Sequence, residues 1–369
     1  MTAVPAPAPP PIVDDDDLLA LMMADLAAAD PLFRPTNYWQ YYERRFLPEL
    51  RRIGLAGYRR RHDSVLASFG AVDVVRPIAS VDHPVRSTLL NNAFGRRVPG
   101  WLRLWSALKR RCPQPEVSIN EYLTPGALRQ LYFGYAEWLG HASRYAKPLA
   151  SIGMSRVGDP EDVFTVDGKD YSLSFVYQYL RYAFASRFID FDGIRVFVEL
   201  GSGSGKQIEL LRKLHPGSCY VIVDIPPQLY VAHQYLDAVF PGLVIPYRDT
   251  RHLTTLEGLQ PGRIYVLGSG QFPLLDTVRI DLFWNAASFQ EMEPRVVGNY
   301  LGCVNRTARA VFLNELMAGQ EVAAPGGKGV IEKTTLAHYR RYLPDFDLID
   351  SAAALPYGDS TDTFWRRRV

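Results

Sequence analysis

The stretch Val196-Phe197-Val198-Glu199-Leu200-Gly201-Ser202-Gly203-Ser204-Gly205-Lys206 decides how this chain folds. An apolar, β-branched run meets glycines at alternate positions, and a helical pattern from Ile208 to Leu214 follows, so a strand enters a sharp turn that opens a helix. Glycine lets such a turn bend tightly and approach a ligand closely. Downstream, apolar strand-like runs (Tyr220 to Asp224, Ile264 to Gly268, Asp281 to Asn285, Ala310 to Asn314) alternate with helical segments such as Gln228 to Phe240 and the stretch after Pro294. That alternation marks a parallel α/β sheet. Asp347 to Ala352 and Asp362 to Arg368, separated by Pro356-Tyr357-Gly358-Asp359, read as a terminal hairpin that closes it.

Upstream the texture changes. Residues 17–150 carry helical spacing, as in Tyr38, Tyr41, Tyr42, Phe46, Leu47 and Leu50, and form an N-terminal helical domain. Residues 151–187 are a connector with turn signals at Val157-Gly158-Asp159-Pro160 and Val166-Asp167-Gly168-Lys169, followed by an aromatic entrance helix from Ser172 to Arg187. Residues 188–369 make the α/β domain. Residues 1–16 are Ala/Pro-rich and then acidic, the opposite of a secretory leader, and read as a disordered tail. The clusters Arg59-Arg60-Arg61 and Lys109-Arg110-Arg111 read as solvated helix faces.

With 47% hydrophobic and 12% aromatic residues among 369, the chain can fill a sizeable core. The net charge of +2 comes from 41 basic and 39 acidic residues that are well mixed, so no basic stripe points to nucleic acid. The apolar segment Leu18 to Ala29 is too short for a bilayer and carries Asp25, so no membrane partner is expected. Cys112, Cys219 and Cys303 lie far apart without C-x-x-C spacing, which fits a reducing cytoplasm. A small molecule is the default ligand.

The glycine spacing narrows that class. A dinucleotide fingerprint would place its third glycine where Lys206 stands, and Glu199 at a phosphate-binding turn would repel the ligand. A carboxylate there instead accepts hydrogen bonds from a cationic amino-acid head group. Asp224 stands 19 residues after Gly205 at the next strand end, where an acid can take both hydroxyls of a ribose. S-adenosylmethionine, with its ammonium, ribose and sulfonium, suits both features. In Asp281-Leu282-Phe283-Trp284-Asn285-Ala286-Ala287-Ser288-Phe289-Gln290-Glu291-Met292, a strand runs into a polar cluster, so Asn285, Ser288, Gln290 and Glu291 should border the reaction space. Ordinary helix capping by Ser288 or Glu291 is the structural alternative.

These residues resemble class I S-adenosylmethionine-dependent methyltransferases, and within them the sugar O-methyltransferase family, over about Val157 to Val369. The carriers are Val157-Gly158-Asp159-Pro160, the loop Glu199 to Gly205, Val221-Ile222-Val223-Asp224-Ile225-Pro226, and Asn285-Ala286-Ala287-Ser288-Phe289-Gln290-Glu291-Met292. The resemblance implies a Rossmann-like sheet of seven strands, one antiparallel, and cofactor contacts from Glu199, Gly201, Gly203, Gly205 and Asp224. Ser202, Ile225, Asn285 and Ser288 complete the expected cofactor set by their neighbourhood. The motifs do not cover the helical half.

The expected reaction is in-line methyl transfer to an oxygen of a sugar or glycosylated small molecule, assisted by a base that draws off the hydroxyl proton. Glu291 is the first candidate base, with Gln290 and Ser288 orienting it, and His252 is a further candidate in a loop that can face the site. No Asp/His set has metal-ligand spacing, so no metal is expected. Tyr171, Tyr177, Tyr179 and Tyr182 offer rings for stacking on an acceptor, with core packing as the alternative. The helical half is expected to act as a lid and to support a homodimer. The competing readings are N-, C- or phenol O-methylation in secondary metabolism, an NAD(P)-dependent reductase or epimerase, and a non-catalytic scaffold.

Overall fold

A computed structural model describes residues 12–60, 64–71, 125–354 and 359–368. Lys109-Arg110-Arg111 and Cys112 lie outside them. Among the described residues the chain forms α1 (Asp16–Ala28), α2 (Asn37–Ile53) and α3 (Pro125–Ala142), then a small hairpin, β1 (Phe164–Val166) and β2 (Lys169–Tyr171). Next come α4 (Leu173–Ala185), β3 (Val196–Leu200), α5 (Lys206–Leu214), β4 (Cys219–Asp224) and α6 (Pro226–Val239). They are followed by β5 (Val244–Ile245), α7 (Tyr247–Thr250), β6 (Ile264–Gly268), β7 (Ile280–Ala286), α8 (Pro294–Thr307) and β8 (Ala308–Glu315). The chain ends with α9 (Leu336–Tyr342), β9 (Phe346–Ala353) and β10 (Thr361–Arg367).

The main sheet has the order β5-β6-β4-β3-β7-β8-β10-β9. Only β10 runs against the others, inserted between β8 and β9. The expected α/β sheet with one antiparallel strand and a terminal hairpin is present, and it holds eight strands instead of seven. The extra strand is the two-residue Val244–Ile245, which pairs with Ile264 and Tyr265 at the edge and is too short for a periodic signal.

The central strands are buried on both faces, as β4 shows with six buried residues in a row, Cys219 to Asp224. Phe197, Ile222, Leu282, Trp284 and Phe312 point to one face, where they join a core with Leu18, Phe46, Leu50 and Phe175. Val198, Val221, Val223, Phe283 and Val311 point to the other and meet Val297, Leu301 and Tyr339 of α8 and α9. The helices α1 and α2 therefore share the core of the sheet. Asp15 caps α1 by accepting the Leu18 N–H (2.8 Å), and its own N–H donates to the Tyr230 hydroxyl (2.7 Å). Asp14 accepts the Leu55 N–H (2.8 Å). Residues 12–16 are thus tied down, in contrast to the expected tail; residues 1–11 lie outside the described set.

The chain leaves β3 toward β4, β6 and β5, then returns to β7 on the other side of β3. This reversal opens a crevice beyond the carboxyl ends of β3, β4 and β7, where open α/β sheets bind ligands.

Candidate functional site

A cavity of about 300 Å³ occupies that crevice. Its floor is the glycine loop, in which Gly201, Gly203 and Gly205 all have positive φ (79°, 55° and 79°). Each is tight for a different reason. A Cβ on Gly201 would lie 2.4 Å from the Ser288 side chain, one on Gly203 would lie 3.3 Å from the Phe69 carbonyl, and one on Gly205 would lie 2.9 Å from Leu236 of α6. Gly201 and Gly203 line the cavity, while Gly205 packs the start of α5 against α6.

Asp224, at the end of β4, accepts the Gly203 N–H (2.8 Å) with one oxygen and the Ile225 N–H (2.8 Å) with the other. Burial pushes its carboxyl up to about 7, and those two backbone donors oppose the rise. Glu199 is the last residue but one of β3, the neighbouring strand. Burial, aided by the nearby Asp224 charge, lifts it to about 8, while the Arg181 charge on α4 acts the other way. Its Oε2 is buried without a hydrogen-bond partner among the described residues. Glu199, Ser202, Asp224 and Ile225 all line the cavity.

The third wall follows β7. Asn285 is wholly buried; its Nδ2 donates to the Leu200 carbonyl (2.8 Å) and to Ser288 Oγ (3.1 Å), and its Oδ1 accepts the Phe289 N–H (3.0 Å). It braces the turn from behind and does not border the cavity, in contrast to its expected cofactor contact. Ala287 adopts the left-handed region (φ 63°), with its N–H on the Asn314 carbonyl (2.7 Å), the kind of strained position that gathers at functional sites. Gln290 also faces away. Its N–H donates to Glu315 Oε2 (2.9 Å) and its Oε1 accepts the Leu316 N–H (2.7 Å), so its polar groups fasten the turn to the end of β8.

Ser288 and Glu291 do line the cavity. Burial drives the Glu291 carboxyl well above the ordinary range, and the nearby Glu315 charge adds to it, whereas hydrogen-bonding contacts from Trp39 and Tyr38 favour the ionised form. Glu315 is itself lifted to about 8 by burial. His252 is a correction: it sits on the surface after α7, exposed, with Arg251 donating to its Nε2 (3.2 Å), and it is not on the cavity wall. A side chain pointing into solvent beyond the edge of the sheet cannot reach the crevice.

Several wall residues carry no signal in the sequence. Thr36, the N-cap of α2, and Trp39 within it reach the wall from one side, and Ser174, Gln178 and Arg181 of α4 from another. Lys206 opens α5 and donates to the Gly70 carbonyl (2.9 Å) and Ser174 Oγ (3.1 Å), which ties the Val65–Phe69 turn over the loop. Of the tyrosines expected near the acceptor, Tyr177 lines the cavity, whereas Tyr171, Tyr179 and Tyr182 are core residues. No group of three or more His, Cys, Asp or Glu among the described residues is placed to hold a metal ion. No helix among them is long and apolar enough to cross a membrane.

No protein-family model matches the chain, and no curated protein matches it. Solved structures do. The mitomycin 7-O-methyltransferase MmcR is 16% identical over 53% of this chain and 54% of its own, with a TM-score of 0.36. The pyocyanin biosynthetic protein PhzM is 17% identical over 53% of this chain and 57% of its own (TM-score 0.37). The magnesium protoporphyrin IX methyltransferase of Synechocystis PCC 6803, solved with S-adenosylhomocysteine bound, is 12% identical over 52% and 83% (TM-score 0.36). The similarity thus spans about half the length of the first two. At these identities and scores it carries no argument about activity, which has to be drawn from the cavity.

Proposed function

We propose that the cavity binds S-adenosylmethionine and that the chain transfers its methyl group to an oxygen of a small acceptor. The observation that carries this reading is the pair Glu199 and Asp224, two buried carboxyls near the ends of adjacent strands, on either side of a loop built on three positive-φ glycines. A site so acidic repels a pyrophosphate and favours a cationic ligand. Glu199, with its unpartnered oxygen, suits an ammonium group; Asp224, anchored to the loop by its two backbone donors, is placed for ribose hydroxyls. The bound cofactor would supply an electrophilic methyl on a sulfonium.

The protein's part is to orient, to exclude water and to accept a proton. Lys206 and the Val65–Phe69 turn cover the loop, while Trp39 and Thr36 of α2 cover the far wall. Water excluded in this way strengthens each charge interaction inside. Glu291 is the group to draw the proton from an acceptor hydroxyl, since a carboxyl held well above its ordinary range is better matched to that task than an exposed one. A sugar-containing acceptor is the first reading; Trp39, Phe69 and Tyr300 on the wall favour a flat phenol as the second.

Calorimetry with S-adenosylmethionine and S-adenosylhomocysteine, with NADPH as control, tests the cofactor. Micromolar binding of both sulfur ligands supports the reading; binding of NADPH alone, or of none, overturns it. Product masses on a panel of glycosides, nucleotide sugars and phenols then separate the two acceptor classes.

A further inference from the structure

Gln228, the third residue of α6, stands on the cavity wall and is 2% exposed, yet neither Nε2 nor Oε1 of its carboxamide has a hydrogen-bond partner among the described residues. Buried amides are as a rule satisfied, so the exception has a cause. A glutamine third in a helix ordinarily reaches back to the backbone N–H of the residue that caps it. Here the capping residue is Ile225, and its N–H is already taken by Asp224 Oδ1 at 2.8 Å. The two residues between them, Pro226 and Pro227, carry no N–H to offer Oε1. The sequence therefore starts α6 in a way that leaves a buried amide unpaired just beyond the strand end that carries Asp224. Asp224 has the complementary limit. Its Oδ2 takes the Gly203 N–H and its Oδ1 the Ile225 N–H, both at 2.8 Å, and as a carboxylate it can only accept further bonds on the lone pairs that remain. A ribose that donates its hydroxyls to those lone pairs is left with hydroxyl oxygens in need of a donor.

We propose that Gln228 is a specificity-determining residue for the sugar of the ligand: its Nε2 donates to a ribose hydroxyl oxygen whose proton goes to Asp224, so that acid and amide hold one hydroxyl between them. This rests on the reading of the cavity as a site for S-adenosylmethionine. A carboxylate alone tests only whether a hydroxyl can donate; the amide tests whether its oxygen is also free to accept. A ligand without that hydroxyl leaves two buried polar groups unsatisfied at once, which is how a site built around a hydroxyl rejects an analogue that lacks it.

Calorimetry of the full chain with S-adenosylhomocysteine and with its 2′-deoxy and 3′-deoxy analogues tests this, in the wild type and in Gln228→Met, which keeps an unbranched side chain of similar length without an N–H. The wild type should bind S-adenosylhomocysteine about tenfold or more tightly than the analogue that lacks the shared hydroxyl. Gln228→Met should lose about three- to tenfold for S-adenosylhomocysteine and stay within about twofold of wild type for that analogue, because the partner of the deleted amide is already gone. Equal losses for all three ligands would make Gln228 a packing residue and overturn the proposal. If Gln228→Met fails to fold, Gln228→Asn, which draws the amide back by one methylene, carries the same comparison with the same two outcomes. A wild type that binds none of the three ligands overturns the cofactor reading and the proposal with it; a wild type that binds S-adenosylhomocysteine, with its discrimination unchanged in the variant, overturns the proposal alone.

Discussion

Asp224 accepts the backbone N–H of Gly203 at 2.8 Å, so the acid that would hold a ribose also holds the loop on which the ligand lies. Removing it strips the ligand of its acceptor and frees the loop together. Charge-assisted hydrogen bonds are worth about 1.5–3 kcal/mol each, so Asp224→Ala should weaken S-adenosylhomocysteine at least roughly tenfold and as much as about a hundredfold. Asp224→Asn keeps an acceptor for one backbone N–H and should fall between. Calorimetry on the three proteins checks the order; equal affinities would remove Asp224 from the site.

Gly201 faces two penalties at once, a left-handed backbone and a side chain 2.4 Å from where its Cβ would be. Gly242 has a similar φ of 73° with nothing within 4 Å, so Gly242→Ala meets only the backbone penalty of about 1–2 kcal/mol. Gly201→Ala should exceed it by at least about 1 kcal/mol, because Ser288 is fixed by Asn285 and cannot swing aside freely. Urea denaturation of the two variants reads the difference directly. Similar losses would mean that the turn after β7 yields.

The glycine loop, Glu199 and Asp224 were legible because strand, turn and helix are consecutive and their periodicities change at the loop. The same local rule brought Ser288 and Glu291 to the cavity, since both follow a strand's carboxyl end. It misjudged Asn285 and Gln290, whose side chains turn back to brace backbone, because a strand-end position does not say which way a side chain points. Glu315 was missed although it ends β8 by the same rule; the strand was read one residue short. Thr36 and Trp39 reach the cavity by tertiary packing across 100 residues or more, and Arg181 reaches it from the separate helix α4, neither of which leaves a trace in local spacing. His252 failed for the converse reason: it is near β5 in sequence, and β5 is at the sheet's edge, away from the crevice.

The buried acids give the free protein a particular pH response. Glu199 and Glu315 titrate near 8 and Asp224 near 7 when folded, against ordinary values of 4.5 and 3.8. Between those limits the folded state holds protons that the unfolded chain has lost, so their contribution to stability is present at low pH and lost as pH rises toward 8. Glu199→Gln should flatten part of that fall in denaturation measured from pH 5.5 to 8.5. A cationic ligand favours the ionised acids, so its binding should release protons and strengthen with pH through the same window. Calorimetry in buffers of different ionisation enthalpy measures the release, and proton uptake would contradict the acidic site.

Arg59 shows how far burial can overturn a reading from composition. Set in an arginine cluster that looks solvated, it is 1% exposed, and its Nη1 donates to the Ser155 (2.7 Å) and Val157 (2.9 Å) carbonyls, with its charge over the Tyr235 ring (5.5 Å). The Arg59 N–H donates to the Gly158 carbonyl (3.0 Å), and a Cβ on Gly158 would lie 2.4 Å from Tyr58. The Val157-Gly158-Asp159-Pro160 connector is thus clasped by the N-terminal half. Arg59→Met fills a similar volume but leaves buried carbonyls without donors, at about 1–3 kcal/mol each. The variant should therefore lose roughly 3 kcal/mol in urea denaturation, while Arg60→Met, whose partner Asp159 is exposed at 3.0 Å, should lose under about 1 kcal/mol. Equal, small losses in both would mean that the connector stays in place through its backbone alone.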